Sequence, residues 1–497
     1  MRISNQILFV SAGMSAPKKR DHILARRQLY LNYGALTLAT LLHMKGYAPV
    51  LVHGNHSQPN AFVKGLCEDE LLPTRYPIML SIPSFYALGW ARQFCKYVKI
   101  LFPQAKIVVG GRWVVGPDPI WIKRQIPEID LVVPGLAEGM IENTMMPSPW
   151  RSPDGTTADF AARPNSGLPS FHLNHLLIRN FHQFQPSIEV SRGCGMGCAF
   201  CEERDIPLSR LRAPDDLANF MADTIEQYGS KSIRPYFQSS FFLPNPRWAQ
   251  KLHAEIQKRD CLFSWRCETR VDGLAPETIE LLAKSGLRAI DLGLETASPE
   301  QIVRMKKARR PDYYLRAASD VLSLCKRYGI WVKINILLYA GENHRTLDET
   351  TSWLRQHADR IKGVSVGPVV IFGPPKQACS LIEEMEAMGA SVVDTKSAEE
   401  TGITAIHPST EIDAAAAEDA SLMLSRAHMD HKGYYELKSF SYYPRDYAYE
   451  DYLSDIRASD PKSLPFDVSN LVSKVGGPVK GCDSEDQSHT SASRVPL

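Results

Sequence analysis

No long apolar run occurs in this sequence. Across 497 residues no uninterrupted hydrophobic stretch approaches the ~18–20 residues that cross a bilayer, so no membrane span is expected. Nor is there an excess of charge. The formal net charge is +2 and no basic stripe is visible, which argues against a nucleic-acid or anionic-membrane partner. The first ten residues, Met1–Val10, hold only a very short apolar run with no small-residue cleavage site, and they read as a first β-strand rather than a signal peptide. Paired cysteines are also missing: Cys67, Cys95, Cys261, Cys267, Cys325, Cys379 and Cys482 are scattered singly. A structural zinc site commonly draws on two separated pairs, and disulfides belong to secreted chains. No repeat is found. With 44% hydrophobic and 23% charged residues, the chain has an ordinary globular composition and length enough for two or three domains.

Against that background one octapeptide stands out. Cys194-Gly195-Met196-Gly197-Cys198-Ala199-Phe200-Cys201 places three thiols in a C-x3-C-x2-C spacing, directly after the strand-like run Ser187–Val190. Three thiolates on a glycine-bearing loop can hold three irons of a [4Fe-4S] cluster, and without a fourth protein thiolate one iron keeps an open site for a small molecule. Gly195 and Gly197 allow the loop to wrap a compact inorganic body. Another kind of metal site is the alternative. The spacing, with an aromatic residue just before the third cysteine, resembles the signature of the radical S-adenosylmethionine (SAM) enzymes.

Residues 1–150 alternate apolar strands and amphipathic helices, the pattern of an open parallel sheet covered on both faces. Strands are expected at Ile7–Ser11, Pro49–His53, Ile78–Ile82, Lys106–Val109 and Leu131–Val133, with helices at Leu29–Lys45 and Ala91–Phe102. Ligands of such sheets sit beyond the carboxyl ends of the strands. The order Tyr33-Gly34-Ala35-Leu36, Ser81-Ile82-Pro83-Ser84, Val109-Gly110-Gly111-Arg112 and Gly135-Leu136-Ala137-Glu138 resembles the cobalamin-binding domain that precedes the radical-SAM domain in a large subfamily. The last motif departs from the Gly-Glu-Gly-Glu usual there. The resemblance implies that Ser81, Ser84, Gly110, Gly111, Gly135 and Glu138 meet a bound cobalamin; a cofactor-free Rossmann-like domain is the alternative. The first loop, Ser11–Ser15, carries no histidine to ligate cobalt, and His53 and His56 read as polar loop residues.

After a polar, proline-bearing linker (151–186), six βα units are expected over 187–380, forming a partial barrel whose strand ends carry the active site. The expected fold class is therefore α/β: a Rossmann-like domain, a partial (β/α)6 barrel and a small C-terminal extension. Asp291–Ser298 and Leu338–Asn343 resemble the radical-SAM fourth and fifth strand ends, and Met305-Lys306-Lys307 falls where that family often has a lysine. The resemblance implies that Cys194, Cys198 and Cys201 bind the cluster, and that Phe200 flanks the adenine of SAM. Gln238 and Ser239 stand where relatives have paired aspartates and can hydrogen-bond an amino acid moiety. Glu295 is a candidate for the ligand's polar groups, or a structural carboxylate; Arg270 is a candidate for bidentate contact with a carboxylate, or a surface ion pair.

The segment 381–472 is expected to cap the barrel mouth, its tyrosine-rich stretch Gly433–Tyr452 serving for packing rather than substrate stacking, and 473–497 reads as a disordered tail. The resemblance implies a cobalamin-dependent radical-SAM C-methyltransferase that methylates an unactivated carbon of a small molecule through methylcobalamin and a 5′-deoxyadenosyl radical. It also implies a cytoplasmic setting and a one-electron donor such as flavodoxin or ferredoxin. A cyclase, ring-contracting or other oxidative rearrangement enzyme is the alternative. A methylthiotransferase needs three more cysteines near the N-terminus, where only Cys67 and Cys95 occur. A non-catalytic cofactor-binding or sensor protein is the reading outside enzymes.

Overall fold

Strand β1 (Ile7–Ser11) is buried along its whole length, as the centre of a parallel sheet requires. Around it lie β2 (Pro49–His53), β3 (Ile78–Ser81), β4 (Ile107–Gly110) and β5 (Leu131–Val133), all parallel in the order β2-β1-β3-β4-β5. Alternate residues of β1 feed two different cores. Leu8 and Val10 pack with Trp90 and Phe94 of the helix Leu88–Leu101, whereas Ile7 and Phe9 pack with Leu36 and Ala39 of the helix Tyr33–Met44. The computed structural model describes residues 3–145 and 167–472, so residues 151–166 of the expected linker, the expected tail and Cys482 lie outside the described residues. What is described of the linker is not merely polar: Leu173, Ile178 and Phe184 are buried under the first sheet beside Ile7 and Leu51.

The second sheet is β6 (Ser187–Glu189), β7 (Tyr236–Gln238), β8 (Trp265–Arg270), β9 (Leu287–Glu295), β10 (Trp331–Leu338) and β11 (Gly363–Pro368), parallel and in sequence order. Each strand alternates. Ile188, Phe237, Cys267, Leu292, Ile334 and Val364 pack outward beneath the helices, in one apolar shell. Their neighbours on the other face are polar, among them Glu189, Gln238, Glu268, Asp291, Lys333 and Ser365. A half-barrel with a charged interior results, suited to a polar ligand rather than a greasy one.

The expected strand Val364–Phe372 breaks after Pro368. Residues Val370–Phe372 form β12, which leaves the barrel and joins β13 (Ser391–Val392) and β14 (Ile403–His407) in a small antiparallel sheet. The helix Pro375–Glu386 runs through residue 380, so a division placed there cuts it. This small unit leans on the first domain, with Phe372 stacked on Phe85 at a 6.0 Å centroid distance. The chain then returns: Ala417, Ala420 and Leu424 of the helix Ala414–Ala427 belong to the barrel's own apolar shell. Part of the expected cap is thus the last barrel helix. Tyr434, Tyr443 and Tyr452 do pack, with Leu437 and Phe466, in a buried cluster. Leu24 joins that cluster from the long connection between β1 and the helix Tyr33–Met44. Among the described residues no helix is long and apolar enough to cross a membrane.

Candidate active site

The strand order of the first sheet reverses between β1 and β3, and the crevice beyond their carboxyl ends is where such sheets bind ligands. Here it opens into a cavity of about 600 Å3 that runs on into the barrel interior. On one side it is lined by Ser81, Gly110, Gly111, Gly135 and Glu138, on the other by Gln238, Ser239 and Glu268. Cys194, Cys198, Cys201, Phe200, Arg270, Glu295 and Ser84 are not part of this lining. Ser84 is the exception among the first-domain loops: its hydroxyl accepts from the Tyr86 amide at 3.4 Å, starting a 3-10 turn. Asn32 was missed. It caps the helix Tyr33–Met44 through the Ala35 amide, while its side-chain NH2 donates to Ser11 at 3.1 Å and Ser81 at 2.9 Å, tying the two central strand ends together. An Asn before a long apolar helix was the available signal.

The cysteine loop is folded back on itself. The Cys194 amide donates to the Ile206 carbonyl and the Gly197 amide to the Arg204 carbonyl, and Gly193, Gly195 and Gly197 all have positive φ. Cys198 is buried; Cys194 and Cys201 are half-buried. Burial pushes the Cys194 thiol up and the Cys201 thiol to about 11, so the protons leave only when a cation takes their place. Among the described residues Cys95, Cys261, Cys267 and Cys325 are buried in apolar cores elsewhere. Nor, among the described residues, do three or more His, Cys, Asp or Glu side chains gather closely enough to hold a single metal ion.

Two basic residues organise this loop. Arg192 holds Glu189 in a fork (2.6 and 3.0 Å) and reaches Glu138 across the cavity at 2.9 Å, so the departing motif of the first domain is pinned to the cysteine loop. Arg270, only 5% exposed, is no surface ion pair. It grips Asp272 in a fork at 2.9 and 3.0 Å, donates to the Lys307 carbonyl at 2.6 Å and to Cys198 Sγ at 3.1 Å. The carboxylate it meets is therefore this chain's own. Glu295 ends β9 with a φ of 65° and is paired to Lys307 at 3.0 Å. Lys307 in turn lies 5.6 Å over the Phe200 ring, which meets Tyr339 edge-on. Gln238 donates to Ser187 at 3.0 Å, and Ser239 shares a 2.5 Å hydrogen bond with Ser191.

Deeper in the barrel, Asp291 takes both Arg266 (2.6 and 2.7 Å) and Lys333 (2.8 Å). Burial alone would raise this carboxyl, but the two cations hold it well below the usual range. Glu268, facing the cavity, is pushed the other way, to about 7, by burial and by Asp291. The Tyr236 hydroxyl sits 3.4 Å from both carboxylates.

Residues 188–354 match the Radical SAM superfamily model, so the chain carries a radical SAM domain, reaching from β6 to the helix His344–Gln356. The whole two-domain architecture is one shared with cobalamin-dependent radical SAM proteins. Over 78% of this chain and 79% of the other, it superposes on the radical SAM methyltransferase TsrM from Kitasatospora setae, solved with tryptophan and a SAM analog, at a TM-score of 0.57 and 17% identity. The cobalamin-dependent SAM radical enzyme OxsB with aqua-cobalamin bound gives a TM-score of 0.61 and 16% identity over 87% of this chain and 67% of that one. At such identities the likeness is one of fold. In sequence, bacteriochlorophyllide d C-12(1)-methyltransferase from Chlorobaculum tepidum is 27% identical over 141 residues, which is 28% of this chain and 30% of that enzyme.

Proposed function

We propose that the protein is a cobalamin-dependent radical SAM C-methyltransferase acting on an unactivated carbon of a small molecule. One observation carries this reading: a single cavity joins the strand-end loops of the first sheet to the interior of the radical SAM barrel. Beside it, past Arg192 and Glu203 of its wall, Cys194, Cys198 and Cys201 would hold a [4Fe-4S] cluster, and the loops around Ser81, Gly110, Gly111 and Gly135 would hold cobalamin. When bound, the cluster with SAM supplies hydrogen abstraction and cobalamin supplies the methyl group.

The chain's own residues do the rest. Arg192 fixes the cysteine loop against the first domain through Glu189 and Glu138. Arg270 orients Cys198, and Lys307 with Glu295 presents a charged pair beside Phe200. Gln238 and Ser239 offer neutral hydrogen-bonding groups to an amino acid moiety. Tyr30 and Tyr442, their rings 5.4 Å apart, line the same cavity and offer it aromatic surface. Glu268 can hold or release a proton near neutrality.

The fold neighbour TsrM and the Chlorobaculum relative are both methyltransferases by name, which supports the reading. The test is an anaerobic preparation analysed for iron, sulfide and cobalt, then incubated with an electron donor such as flavodoxin, methyl-deuterated SAM and a small-molecule extract. Deuterated methyl groups on cobalamin and on a product are expected, with 5′-deoxyadenosine. Release of 5′-deoxyadenosine without label in any product would overturn methyl transfer and favour rearrangement.

A further inference from the structure

The barrel floor carries more positive charge than its own acids compensate. Lys333 on β10 and Arg266 on β8 share the one carboxylate of Asp291. Arg266 also donates to the Leu437 carbonyl at 2.6 Å, which brings the next residue, Lys438, onto the same floor. Lys438 points its ammonium at a neutral acceptor, Gln28 Oε1, at 2.8 Å, and lies 5.2 Å over the Tyr442 ring. From the opposite side Lys19, an exposed residue of the β1 connection, seats its ammonium on Ser365 Oγ at 3.1 Å and on the Val366 carbonyl at 2.5 Å. Ser365 pairs with Asn335, two residues along β10 from Lys333, so Lys19 and Lys333 meet on the same inner face.

Arg266, Lys333 and Lys438 thus gather about Asp291, with Glu268 on the cavity side, and Lys19 adjoins Lys333 with Glu418 approaching it from the helix Ala414–Ala427. Lys19 and Lys438 have only neutral hydrogen-bond acceptors among the described contacts. Holding ammonium groups this close together is costly unless an anion accompanies them. Burial, then Lys333 and Arg266, holds Lys438 well below its ordinary value, and burial with Lys333 brings Lys19 to about 8. Both are the marks of a cationic site without its counter-charge. The floor borders the cofactor cavity at Tyr442 and Glu268, which line it.

We propose that this floor binds an anionic group of the substrate, a carboxylate or a phosphate, between Lys19, Lys333 and Lys438. The proposal rests on the reading of the barrel as a small-molecule active site and names the class of molecule it takes: one with an anionic group at the end away from the cluster loop. Lys333 stays anchored by Asp291, while Lys19 and Lys438 turn their uncommitted N–H groups to the anion.

The test is calorimetric titration of the anaerobic full-length protein with inorganic phosphate and, separately, succinate, at low ionic strength and in two buffers of different ionisation enthalpy. Saturable one-site binding of at least one anion is expected, with net proton uptake as the lysines regain their charge. Which anion binds tells phosphate from carboxylate. Lys19→Gln and Lys438→Met should each weaken it about tenfold, while the exposed Lys462→Gln should not. Circular dichroism of each variant verifies folding, and if Lys438→Met unfolds, Lys19→Gln alone carries the comparison. No saturable binding of either anion, or equal binding in the lysine variants, overturns the proposal. Formation of 5′-deoxyadenosine in the same preparations reports separately on the radical SAM reading, so the two can fail independently.

Discussion

Arg270→Met removes three contacts at once while keeping an unbranched apolar stem. The guanidinium is 5% exposed, and its loss leaves Asp272 without its forked partner and the Lys307 carbonyl and Cys198 sulfur without their donors. Breaking a buried pair by deleting one member costs about 3–5 kcal/mol. Asp272 keeps 24% of its side-chain surface, so water recovers part of that loss, and about 2–3 kcal/mol is expected. For a large domain this is a fall of roughly 4–10 °C in the barrel's thermal transition, read by calorimetry under anaerobic conditions. A second effect separates support of the sulfur from mere packing. A donor to a ligating sulfur stabilises the reduced, more negative state, and losing about 1 kcal/mol of that preference lowers a one-electron potential by on the order of 40 mV. Arg270→Lys, which keeps the charge but not the fork, should fall between. An Arg270→Met protein with the wild-type transition temperature and the wild-type cluster potential would refute the reasoning.

Gly111→Ala should disturb the first-domain loop: at a φ of 143° an added Cβ would lie 2.3 Å from the Ile82 carbonyl oxygen, so a loss of about 1–3 kcal/mol and weaker retention of cobalamin on gel filtration are expected. Unchanged stability and retention would show that this approach is not tight. Burial and the neighbouring Asp291 push Glu268 up from an ordinary 4.5 to about 7, so in that interval the native state is expected to hold a proton that the unfolded chain gives up. This group therefore makes stability fall as pH rises from about 4.5 to 7, and Glu268→Gln, lacking the fall, should gain on the wild type across that window and not outside it. A difference in transition temperature that is flat with pH would contradict the assignment.

Periodicity made the two sheets legible. The all-apolar Ile7–Val10 and the alternating Trp331–Leu338 occur as strands within a residue of where the pattern puts them, because burial on both faces or on one leaves a direct trace in the sequence. The cysteine spacing, the double glycine and the Glu295 strand end were likewise visible as words. What stayed hidden depends on long-range partners. Nothing local in Val364–Phe372 announces that Val370–Phe372 pairs with Ile403–His407 instead of continuing the barrel. Arg270 was read as a ligand contact or a surface pair, since two of its partners, Cys198 and the Lys307 carbonyl, lie 72 and 37 residues away, beyond the local Asp272. Asn32 was passed over because a helix cap and a ligand-loop brace look the same in one dimension.

The connection that carries Lys19, Leu24 and Arg27 leaves the first sheet, plugs the tyrosine cluster and touches β11 before returning. A barrel expressed from residue 167 onward would therefore have a hole where Leu24 sits and an Asp455 left with the Tyr447 hydroxyl but without Arg27, while the first domain alone would trail the arm that carries Leu24. The two halves are interlocked by a clasp rather than joined at a hinge, so one cannot be exchanged for a foreign counterpart without carrying the strap along.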